Sequence, residues 1–357
     1  MVSVPSQEAE MTRHLALVEE VLERFFSLST QRAATLAPSY EALWKTLRSN
    51  TAGGKRFRPQ MVMTAFTALG GADLRSAANV GASFELLHTA LIVHDDVVDR
   101  DFVRRGIPNV SGSYRDVAQT AGLSLPTAEH RGMSVAVIAG DLALTGSFRL
   151  MERASADPEV RDALVELLDR AVFDSAAGEL IDVDFSLYTG MPSIDEIVHM
   201  ERLKTAVYSF EAPLQAGALL AGATHEVIAA LGEFGRNIGI AYQIVDDLLG
   251  VFGDEASTGK TTLGDLREGK RTALIAFASQ TPEWASISGL VGSSTLSDDE
   301  AATVREVLER TGAKKYTQRL ASDYADEAVA ALHGAGVPQK LIDQLTPLVT
   351  AVVARVR

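Results

Sequence analysis

Two aspartate motifs are the residues best suited to chemistry in this sequence of 357 residues. Asp95, Asp96 and Asp99 end the apolar run LIVHDDVVDRD, and Asp246 and Asp247 end a second run, AYQIVDDLLG. Carboxylates four residues apart share one helical face, where they repel one another unless a cation lies between them. Oxygen ligands without His or Cys favour magnesium or manganese over zinc. The motifs therefore predict a magnesium site, and a solvated helix end is the alternative for each motif alone.

The residues before the first motif share the face of its carboxylates. Phe84, His88 and Leu91 lie on one helical stripe with Asp95 and Asp99, so the stripe is apolar at one end and acidic at the other. If the helix of the second motif faces this one, carboxylates line both rims of a cleft, as in sites that hold magnesium ions against a diphosphate. Magnesium usually takes substrate phosphate oxygens as additional ligands. We therefore expect a phosphorylated ligand.

Two basic segments could supply further contacts to an anion. Lys55 and Arg58 lie in GGKRFRP, a loop that runs into a helix N-terminus, and Arg104 and Arg105 follow the first acidic motif. Each could also be a plain surface charge. The 33 basic and 47 acidic side chains give a net charge of −14, which argues against non-specific binding of nucleic acid or anionic membranes. An anionic ligand must therefore be held by a local basic cluster or by bound cations.

Helices must position these residues, because nearly every segment has apolar residues at three- and four-residue spacing and ends in helix punctuation. We predict an all-α fold in which a long helix over residues 76–99 carries the first motif. Pro59 fits the first turn of the preceding helix, and Gly71 closes that helix. The other helix signals are capping boxes at Ser193–Glu196 and Ser297–Glu300, which predict starts near Ile194 and Asp298, and a stop at Gly312.

The remaining features concern organisation and location. Residues 104–131 lack clear periodicity, which predicts a long loop with short helical pieces. No break in composition divides the chain, so we predict a single domain over residues 1–357, with residues 1–15 disordered. The absence of cysteine fits a reducing cytosol, and the sequence shows neither a secretion signal nor an apolar membrane span. We expect a cytoplasmic protein without stable membrane insertion.

Ordered motifs from Lys55 to Arg271 resemble the trans-isoprenyl diphosphate synthase (polyprenyl synthetase) family, and bacterial geranylgeranyl diphosphate synthases in particular. They are GGKRFRP, ELLHTALIVHDDVVDRD, RRGIP, AGD at 139–141, GELID at 178–182, KTA at 204–206, YQIVDDLLGVFGD, TGK at 258–260 and REGKRT. The resemblance implies an all-α bundle of many helices around a central substrate cavity, usually as a homodimer. It also implies a magnesium-dependent, carbocation-mediated 1'-4 head-to-tail condensation of isopentenyl diphosphate with an allylic diphosphate.

The resemblance further implies roles for particular positions. Asp95, Asp99 and Asp246 look like ligands of three magnesium ions, for which manganese is the alternative, and Asp96 and Asp247 look like supports behind them. The implied contacts to the allylic diphosphate are Arg104, Lys204, Lys260 and Lys270. The implied pocket for isopentenyl diphosphate consists of Lys55, Arg58, His88 and Arg105. The implied catalytic residues are Lys204, Thr205 and Gln243, of which the last two sit where the family stabilises the allylic cation with oxygen atoms.

The implied chemistry explains why these residue types are needed. A diphosphate leaves only if its developing charge is neutralised in a water-poor site, which divalent ions and basic side chains provide. Apolar walls keep water from quenching the allylic cation, and oxygen dipoles stabilise it, so no nucleophilic side chain is required. The acids end an apolar stripe because such a substrate has a charged head and an apolar tail.

The length of the product is predicted from the helix that precedes the first motif. Leu91 and Ala90, four and five residues before Asp95, are not aromatic, which disfavours a strict farnesyl stop. Phe84 lies eleven residues before Asp95, roughly 16 Å up the helix at about 1.5 Å per residue, and is the first bulky side chain on the stripe. We hypothesise that Phe84 forms the floor and that the product is geranylgeranyl diphosphate. An ordinary core phenylalanine, with a farnesyl or longer product, is the alternative.

Two positions depart from the commonest family pattern, and other functions remain as alternatives. Gly250 replaces a third aspartate in the second motif, and Glu179 stands where many members have glutamine. A class I terpene cyclase would need a different second metal motif and no site for isopentenyl diphosphate. A non-catalytic partner subunit would usually lose the aspartates, and a calcium-binding structural protein would need the spacing of an EF-hand loop.

Overall fold

Helices form nearly all of the structure, a computed structural model that describes residues 7–104, 106–253 and 262–355. The all-α prediction is thereby confirmed. The chain divides into two compact units: unit 1 comprises residues 1–169 and 213–223, and unit 2 comprises residues 170–212 and 224–357. Each unit has its own hydrophobic core. The single domain over residues 1–357 stays a prediction.

Unit 1 contains the first acidic motif, and its helices are long. Two short strands, β1 (Val103–Arg104) and β2 (Ile107–Pro108), pair antiparallel in it. Its helices are α1 (Gln7–Ala34), α2 (Pro38–Thr51), α3 (Phe57–Ala68), α4 (Leu74–Val98), α5 (Val110–Thr120), α6 (Leu125–Met151) and most of α9 (Ala212–Leu220). The helix α7 (Pro158–Leu187) begins in unit 1 and continues into unit 2.

Unit 2 contains the second acidic motif. A π-helix (Arg202–Glu211) follows directly after α8 in this unit, and a short 3-10 helix (Pro282–Ser286) lies further along the chain. The α-helices are α8 (Ile194–Glu201), α10 (His225–Phe252), α11 (Gly264–Glu268), α12 (Ala273–Ser279), α13 (Asp298–Arg310), α14 (Ala313–Ala331) and α15 (Gln339–Ala354).

The core of unit 1 is built by α1, α2, α4 and α6. Phe25 and Phe26 of α1 pack edge-to-face with each other and with Trp44 of α2, at ring-centroid distances of 5.3, 5.8 and 6.3 Å. Such aromatic contacts add to the area that these large side chains bury. Gly146 of α6 lies against Phe25, because a Cβ there would be 2.5 Å from the Phe25 ring. Only glycine therefore allows α6 to approach α1 so closely.

The helix α4 confirms the prediction of a long helix before the first motif. Asp73 caps its N-terminus by accepting hydrogen bonds from the backbone N–H groups of Arg75 (3.1 Å) and Ser76 (3.2 Å). One face of α4, which includes Leu86 and Val93, packs into the core of unit 1. The stripe of the first motif lies on the other side, since residues 86 and 93 differ in helical angle from residues 84 and 95 by roughly 160–200° at 100° per residue.

Unit 2 is organised around α10. Gly235 and Gly239 of this helix lie against the π-helix, because a Cβ on them would be 2.7 Å from the Cα atoms of Glu211 and Ala206, respectively. The two glycines thus let α10 touch the backbone of the π-helix. A second set of apolar side chains packs below the acidic motif and includes Leu248, Leu266, Leu274, Val304 and Leu308.

The smaller helix predictions are confirmed. Pro59 lies in the first turn of α3, and the backbone N–H of Gly71 closes that helix on Phe66. Both capping boxes form, at the starts of α8 and α13. Gly312 has a φ of 80° two residues after α13 ends, the left-handed conformation that favours glycine at a helix stop.

Two predictions about local structure were wrong. Residues 104–131 are not a long loop: they hold the hairpin, all of α5 and the start of α6, because Asn109 caps α5 and Pro126 fits the first turn of α6. The helix α1 begins at Gln7, inside the segment for which disorder was predicted. The α6 helix is long and apolar enough, by length and composition, to cross a membrane. Since Ala136, Ala139 and Ala143 of α6 pack in the core of unit 1, the same composition also suits a core helix.

Candidate functional site

The first acidic centre, in unit 1, consists of Asp95, Asp96, Asp99 and Arg104. The aspartates occupy the last turn of α4, where the negative end of the helix dipole disfavours carboxylates. The side chain of Asp96 is 3% exposed, that of Asp95 is 21% exposed, and Asp99 is exposed at the helix end. Three acids placed where the helix itself opposes them indicate a role other than stabilisation of the helix.

Arg104 of β1 connects two of these carboxylates. Its Nε donates to Oδ1 of Asp96 (2.8 Å), and its Nη2 donates to Oδ2 of Asp95 (3.0 Å). The pairing of Val103 with Pro108 in the hairpin fixes the position of the arginine. Burial raises the pKa of Asp96 to about 6, although the guanidinium of Arg104 acts in the opposite direction. Arg104 therefore holds Asp96 in place and leaves Asp95 at the surface of the centre.

The basic loop before α3 is held by the arginine between the two predicted ligands. Arg56 is buried, has a left-handed φ of 49°, and donates to Oε2 of Glu85 (2.9 Å), to the carbonyl of Thr51 (2.8 Å) and to Glu19. The pKa of Arg56 is raised because its bonds to Glu19 and Glu85 outweigh the effect of burial. Arg56 thus anchors the loop from both sides.

The predicted ligands in this loop differ in exposure. Lys55 is exposed, whereas Arg58 is half-buried with Nη1 3.9 Å from Oε1 of Glu85. Glu85 lies on α4, one turn before His88, which is half-buried on the same helix. The structure therefore brings Arg58 and α4 together within unit 1. Arg105, the fourth residue predicted for this pocket, lies outside the described residues.

The residues predicted to set the product length do not share one face of α4. Phe84 is fully buried and Leu91 is half-buried, and both lie on the stripe of Asp95. Ala90 packs instead in the core of unit 1, with Leu86. Its small side chain thus serves the contact of α4 with the rest of the core.

The second acidic centre, in unit 2, also contains a buried (inner) aspartate next to a more exposed (outer) aspartate, as Asp96 and Asp95 do in unit 1. The side chain of Asp247 is 5% exposed, and that of Asp246 is 32% exposed. Oδ1 of Asp247 accepts hydrogen bonds from Nζ of Lys270 (3.0 Å) and from Nε2 of Gln243 (2.9 Å). Asp246 accepts a hydrogen bond from Nη2 of Arg355 at 3.0 Å.

Gln243 and Thr205, both predicted to be catalytic, are hydrogen-bonded to each other. Oγ1 of Thr205 donates to Oε1 of Gln243 at 3.0 Å. Since the Asp247 carboxylate can only accept, the NH₂ group of Gln243 must face it, which fixes the orientation of the amide. Thr205 lies in the π-helix, the rare helix type that is frequent at functional sites.

Lys204 lies beside Thr205 and is paired with two acids of α7. Its Nζ donates to Oδ2 of Asp182 (2.6 Å) and lies 3.0 Å from Oε2 of Glu179. Gly178 makes this approach possible, because a Cβ there would be 2.2 Å from the backbone N of Lys204. Glu179, which stands where many family members have glutamine, is thus a partner of the predicted catalytic Lys204.

The second departure, Gly250, has a steric explanation. A Cβ at this position would lie 1.9 Å from Oδ2 of Asp265 in α11. The carboxylate of Asp265 therefore occupies the space into which a third aspartate of the motif would project. Asp265 and Asp247 together raise the pKa of Lys270 well above its ordinary value, against the lowering effect of burial. Lys260, which was predicted to act near this point, lies outside the described residues.

The donor set of the two centres suits magnesium. Asp95, Asp99 and Asp246 offer only carboxylate oxygens, the ligands that hard cations prefer. In the part of the chain that the structure describes, no group of three or more His, Cys, Asp or Glu side chains is arranged to hold a metal by itself. One or two carboxylates completed by substrate phosphates is the usual way in which proteins bind magnesium. The residues present therefore fit an ion that is bound together with a phosphorylated substrate.

Comparison with known proteins identifies the family. The profile of the polyprenyl synthetase family matches residues 40–308. The chain belongs to the polyprenyl synthetase family. A geranylgeranyl diphosphate synthase of Sulfolobus acidocaldarius is 31% identical over 288 residues, which cover 79% of this chain and 81% of that protein. A (2E,6E)-farnesyl diphosphate synthase of Mycobacterium tuberculosis is 32% identical over 328 residues, which cover 89% and 85%.

A solved structure of this family shows the same fold. The crystal structure of a geranylgeranyl pyrophosphate synthase from Corynebacterium glutamicum, complexed with isoprenyl diphosphate and magnesium, superposes with a TM-score of 0.88 at 30% identity. The similarity covers 96% of this chain and 99% of that one. The relatives are thus prenyl diphosphate synthases, in a magnesium-dependent family of trans-prenyltransferases. The resemblance inferred from the motifs is confirmed.

Several residues of these centres cannot be recognised from the motifs. Arg56 lies within the GGKRFRP motif, and nothing in the motif distinguishes it from Lys55 and Arg58 as the residue that anchors the loop. Glu85 and Glu201 each interrupt an apolar helical run, and a buried acid in such a run is a signal that could have been noticed. Asp265 and Arg355 carry no local signal, because only folding brings them to residues 250 and 246.

Proposed function

We propose that this polyprenyl synthetase is a trans-prenyltransferase that condenses isopentenyl diphosphate with allylic diphosphates in a 1'-4 head-to-tail reaction. The observation that supports this most is that each motif contains one buried aspartate and one more accessible aspartate. Asp96 and Asp247 are buried and hydrogen-bonded to Arg104 and to Lys270, while the preceding aspartates stay accessible. A fixed inner acid and an accessible outer acid in two places suit a diphosphate held through several cations.

In this proposal Asp95, Asp99 and Asp246 hold magnesium, with three ions per active site and manganese as a substitute. When bound, the ions neutralise the charge that develops on the departing diphosphate. Arg104 and Lys270 exchange a carboxylate partner for diphosphate oxygens, as does Lys204, and Lys260 is proposed to join them. In the absence of substrate, ion pairs with carboxylates hold the side chains of Arg104, Lys204 and Lys270 in place. Removing both partners of each pair from water costs desolvation energy.

The proposed site for isopentenyl diphosphate is the loop before α3. Lys55 and Arg58 bind its diphosphate, with His88 and Arg105 as further contacts. The buried ion pairs of Arg56 with Glu19 and Glu85 support this assignment, because they hold the loop backbone in a left-handed conformation that a free loop would rarely adopt.

Thr205 and Gln243 are proposed to stabilise the allylic cation through their oxygen atoms. The hydrogen bond between them and the bond of Gln243 to Asp247 orient both groups before substrate arrives, which is the condition for electrostatic stabilisation without reorganisation. The departed diphosphate then removes the final proton, as the family mechanism has it. No nucleophilic side chain is required in this scheme.

We further propose geranylgeranyl diphosphate as the product, with Phe84 as the floor of the cavity. The position of Phe84 on the same helical stripe as Asp95 supports this role. Farnesyl or longer products remain the alternatives, and the relatives include both farnesyl and geranylgeranyl diphosphate synthases. We also propose a cytoplasmic location, without nucleic-acid partners or stable membrane insertion.

A homodimer is proposed from the surface of α5 and α6. Several large apolar side chains of this segment are exposed in the single chain, and exposed apolar side chains of this kind are common at protein–protein interfaces. They are Val117, Leu123, Leu125, Val137 and Ile138. Light scattering of the purified protein would decide the oligomeric state, and Ile138→Lys is expected to shift it towards the monomer.

The proposed function is tested by incubating the protein with labelled isopentenyl diphosphate, magnesium and each allylic primer from five to fifteen carbons. Mass spectrometry then gives the chain lengths. Asp95→Asn and Asp246→Asn should lower kcat by about a hundredfold or more, since each removes charge stabilisation of the leaving group. The matched control is Asp299→Asn, an exposed acid in the first turn of α13. A folded protein that condenses none of the primers would contradict the proposal and favour a non-catalytic partner subunit.

A further inference from the structure

Glu201 is a buried acid for which the proposed reaction has no assigned role. It is the last residue of α8, one turn before Thr205, and it is 1% exposed. Neither of its carboxyl oxygens has a hydrogen-bond partner among the described residues. An ionised carboxylate buried in this way carries a large desolvation penalty unless it is paired. The ionisation state of Glu201 therefore needs an explanation.

Among the described residues, the groups that act on Glu201 offer it no cation of its own. Asp247 from α10 has the largest electrostatic influence on it, followed by Lys270 and Asp182, and Tyr324 of α14 also faces it. The ammonium group of Lys270 is already bonded to Asp247. Among the described charged groups that act on Glu201, the acids Asp247 and Asp182 outnumber the base Lys270, which disfavours another negative charge.

These surroundings favour the protonated form of Glu201 over the ionised one. Burial, reinforced by the adjacent Asp247, raises the pKa of Glu201 well above its ordinary value. A protonated carboxyl group carries one O–H that can donate. The Asp247 carboxylate lies beside it and offers only acceptor oxygens, so the missing partner of Glu201 is supplied as soon as Glu201 holds a proton.

We propose that Glu201 is a positioning residue whose carboxylic O–H donates to the Asp247 carboxylate. Asp247 would then be fixed by three donors: Glu201, Lys270 and Gln243. Because Asp247 orients the amide of Gln243, and that amide orients Thr205, Glu201 acts on the reacting centre through two intervening residues. Its role rests on the proposed function of Thr205 and Gln243.

The same arrangement separates the two neighbouring aspartates of the second motif. An Asp247 carboxylate with three donors has little remaining capacity for a metal, and it is buried. Asp246 keeps an accessible carboxylate. Glu201 thereby directs a divalent cation to Asp246, which explains why the inner acid of the pair supports and the outer acid binds.

Infrared spectroscopy tests the protonation of Glu201 without substrate. The wild-type protein at neutral pH should show the carbonyl stretch of a buried, protonated carboxylic acid, and Glu201→Gln should lose most of this band and keep only the minor contribution of Asp96. Glu159→Gln, an exposed acid in the first turn of α7, serves as the control and should keep the band. Absence of the band from the wild-type protein would overturn the proposal.

Kinetics test the positioning role. Glu201→Gln keeps a donor and should retain most of kcat while losing any alkaline decline that ionisation of Glu201 causes. Glu201→Leu keeps a buried side chain of similar size but has no donor, and it should lower kcat about tenfold with little change in the KM for the allylic diphosphate. A folded Glu201→Leu variant with full kcat would overturn the role.

The two proposals fail in distinguishable ways. An inactive wild-type protein would contradict the proposed function, whereas the infrared band would still decide whether Glu201 carries a proton. Thermal unfolding adds a second readout: if Glu201 is protonated in the fold, the wild-type protein should lose stability relative to Glu201→Gln as the pH rises through the raised pKa. Parallel pH profiles of the two proteins would count against the protonated donor.

Discussion

Arg355 of unit 2 donates a hydrogen bond from Nη2 to Oδ1 of Asp246 at 3.0 Å, and its guanidinium carbon lies 5.0 Å from the ring centroid of Tyr242. The accessible aspartate of the second motif is thus held by a cation that follows α15. Arg104 holds Asp95 in unit 1 by a bond of the same length. In each centre an arginine contacts the carboxylate that we propose as a magnesium ligand.

The ion pair of Arg355 should compete with magnesium. We expect Arg355→Ala to raise the affinity for Mg²⁺ up to about fivefold in the presence of inorganic diphosphate, because a partly exposed ion pair contributes about 0.2–1 kcal/mol. Isothermal titration calorimetry measures this affinity. Arg319→Ala, which removes an exposed arginine from α14, is the control and should leave it unchanged. A lower affinity in Arg355→Ala would indicate that Arg355 binds the diphosphate instead.

Introducing a third aspartate into the second motif at position 250 should lower the stability of the fold. Gly250→Asp places a Cβ where Oδ2 of Asp265 now lies, 1.9 Å away, and overpacking of this kind costs about 1–3 kcal/mol. Even Gly250→Ala should destabilise, although alanine in a helix is ordinarily more stable than glycine by about 0.5–1 kcal/mol. Chemical denaturation gives the free energy of unfolding of each variant.

A double-mutant cycle separates the steric effect from any other effect of Gly250→Ala. If the contact with Asp265 is the cause, Gly250→Ala should be tolerated in an Asp265→Gly background, and the coupling energy should exceed about 0.5 kcal/mol. Additive effects of the two changes would show that residue 250 is sensitive for another reason.

Acid should weaken unit 1 through His14 of α1. Burial lowers the pKa of His14, against the opposite effect of Glu10, so the unfolded chain takes up the proton more readily than the folded one. The contribution of His14 to stability is therefore present above its pKa in the unfolded chain, about 6.5. This contribution is lost as the pH falls through the lower pKa that His14 has in the folded protein.

To check this, the free energy of unfolding is measured for the wild-type protein and for His14→Gln from neutral to mildly acidic pH, and the two pH profiles are compared. The wild-type protein should lose stability relative to the variant as the pH falls. His225→Gln, at an exposed position at the start of α10, is the matched control. If His14→Gln and the wild-type protein keep a constant difference, protonation of His14 does not contribute.

The sequence was sufficient for features that depend on local spacing. The span of α4, the capping box of Ser193 and the pair Asp95 and Asp96 follow from side chains within a few turns of one another. The prediction of a loop at residues 104–131 was wrong because local signals can be ambiguous. Asn109, Ser124 and Pro126 stand at the starts of α5 and α6, and these residue types are as typical of helix starts as of turns.

The partners of the acids could not be predicted, because they come from distant parts of the chain. The sequence indicated that Asp247 supports Asp246, but not that Lys270 and Gln243 bond to it, nor that Glu201 lies against it. Likewise, the spacing placed Ala90 among the residues before Asp95, and only the packing of α4 in the core of unit 1 shows which way Ala90 points.

The length of the product should depend on the volume of the side chain at position 84. Phe84→Ala should shift the products from the proposed geranylgeranyl diphosphate to longer chains, because it removes the first bulky group on the stripe of α4, roughly 16 Å from Asp95 at about 1.5 Å per residue. The loss of a buried phenylalanine costs about 3–5 kcal/mol, so the stability of the variant must be measured alongside.

Two further variants make this test specific. Phe84→Leu changes the volume less and should give a smaller shift in chain length, which mass spectrometry of the products resolves. Phe66→Ala removes another buried phenylalanine of unit 1, one that packs in the core cluster, and should lower stability without lengthening the product. An unchanged product distribution in a folded Phe84→Ala variant would assign Phe84 to the core and place the stop on another helix.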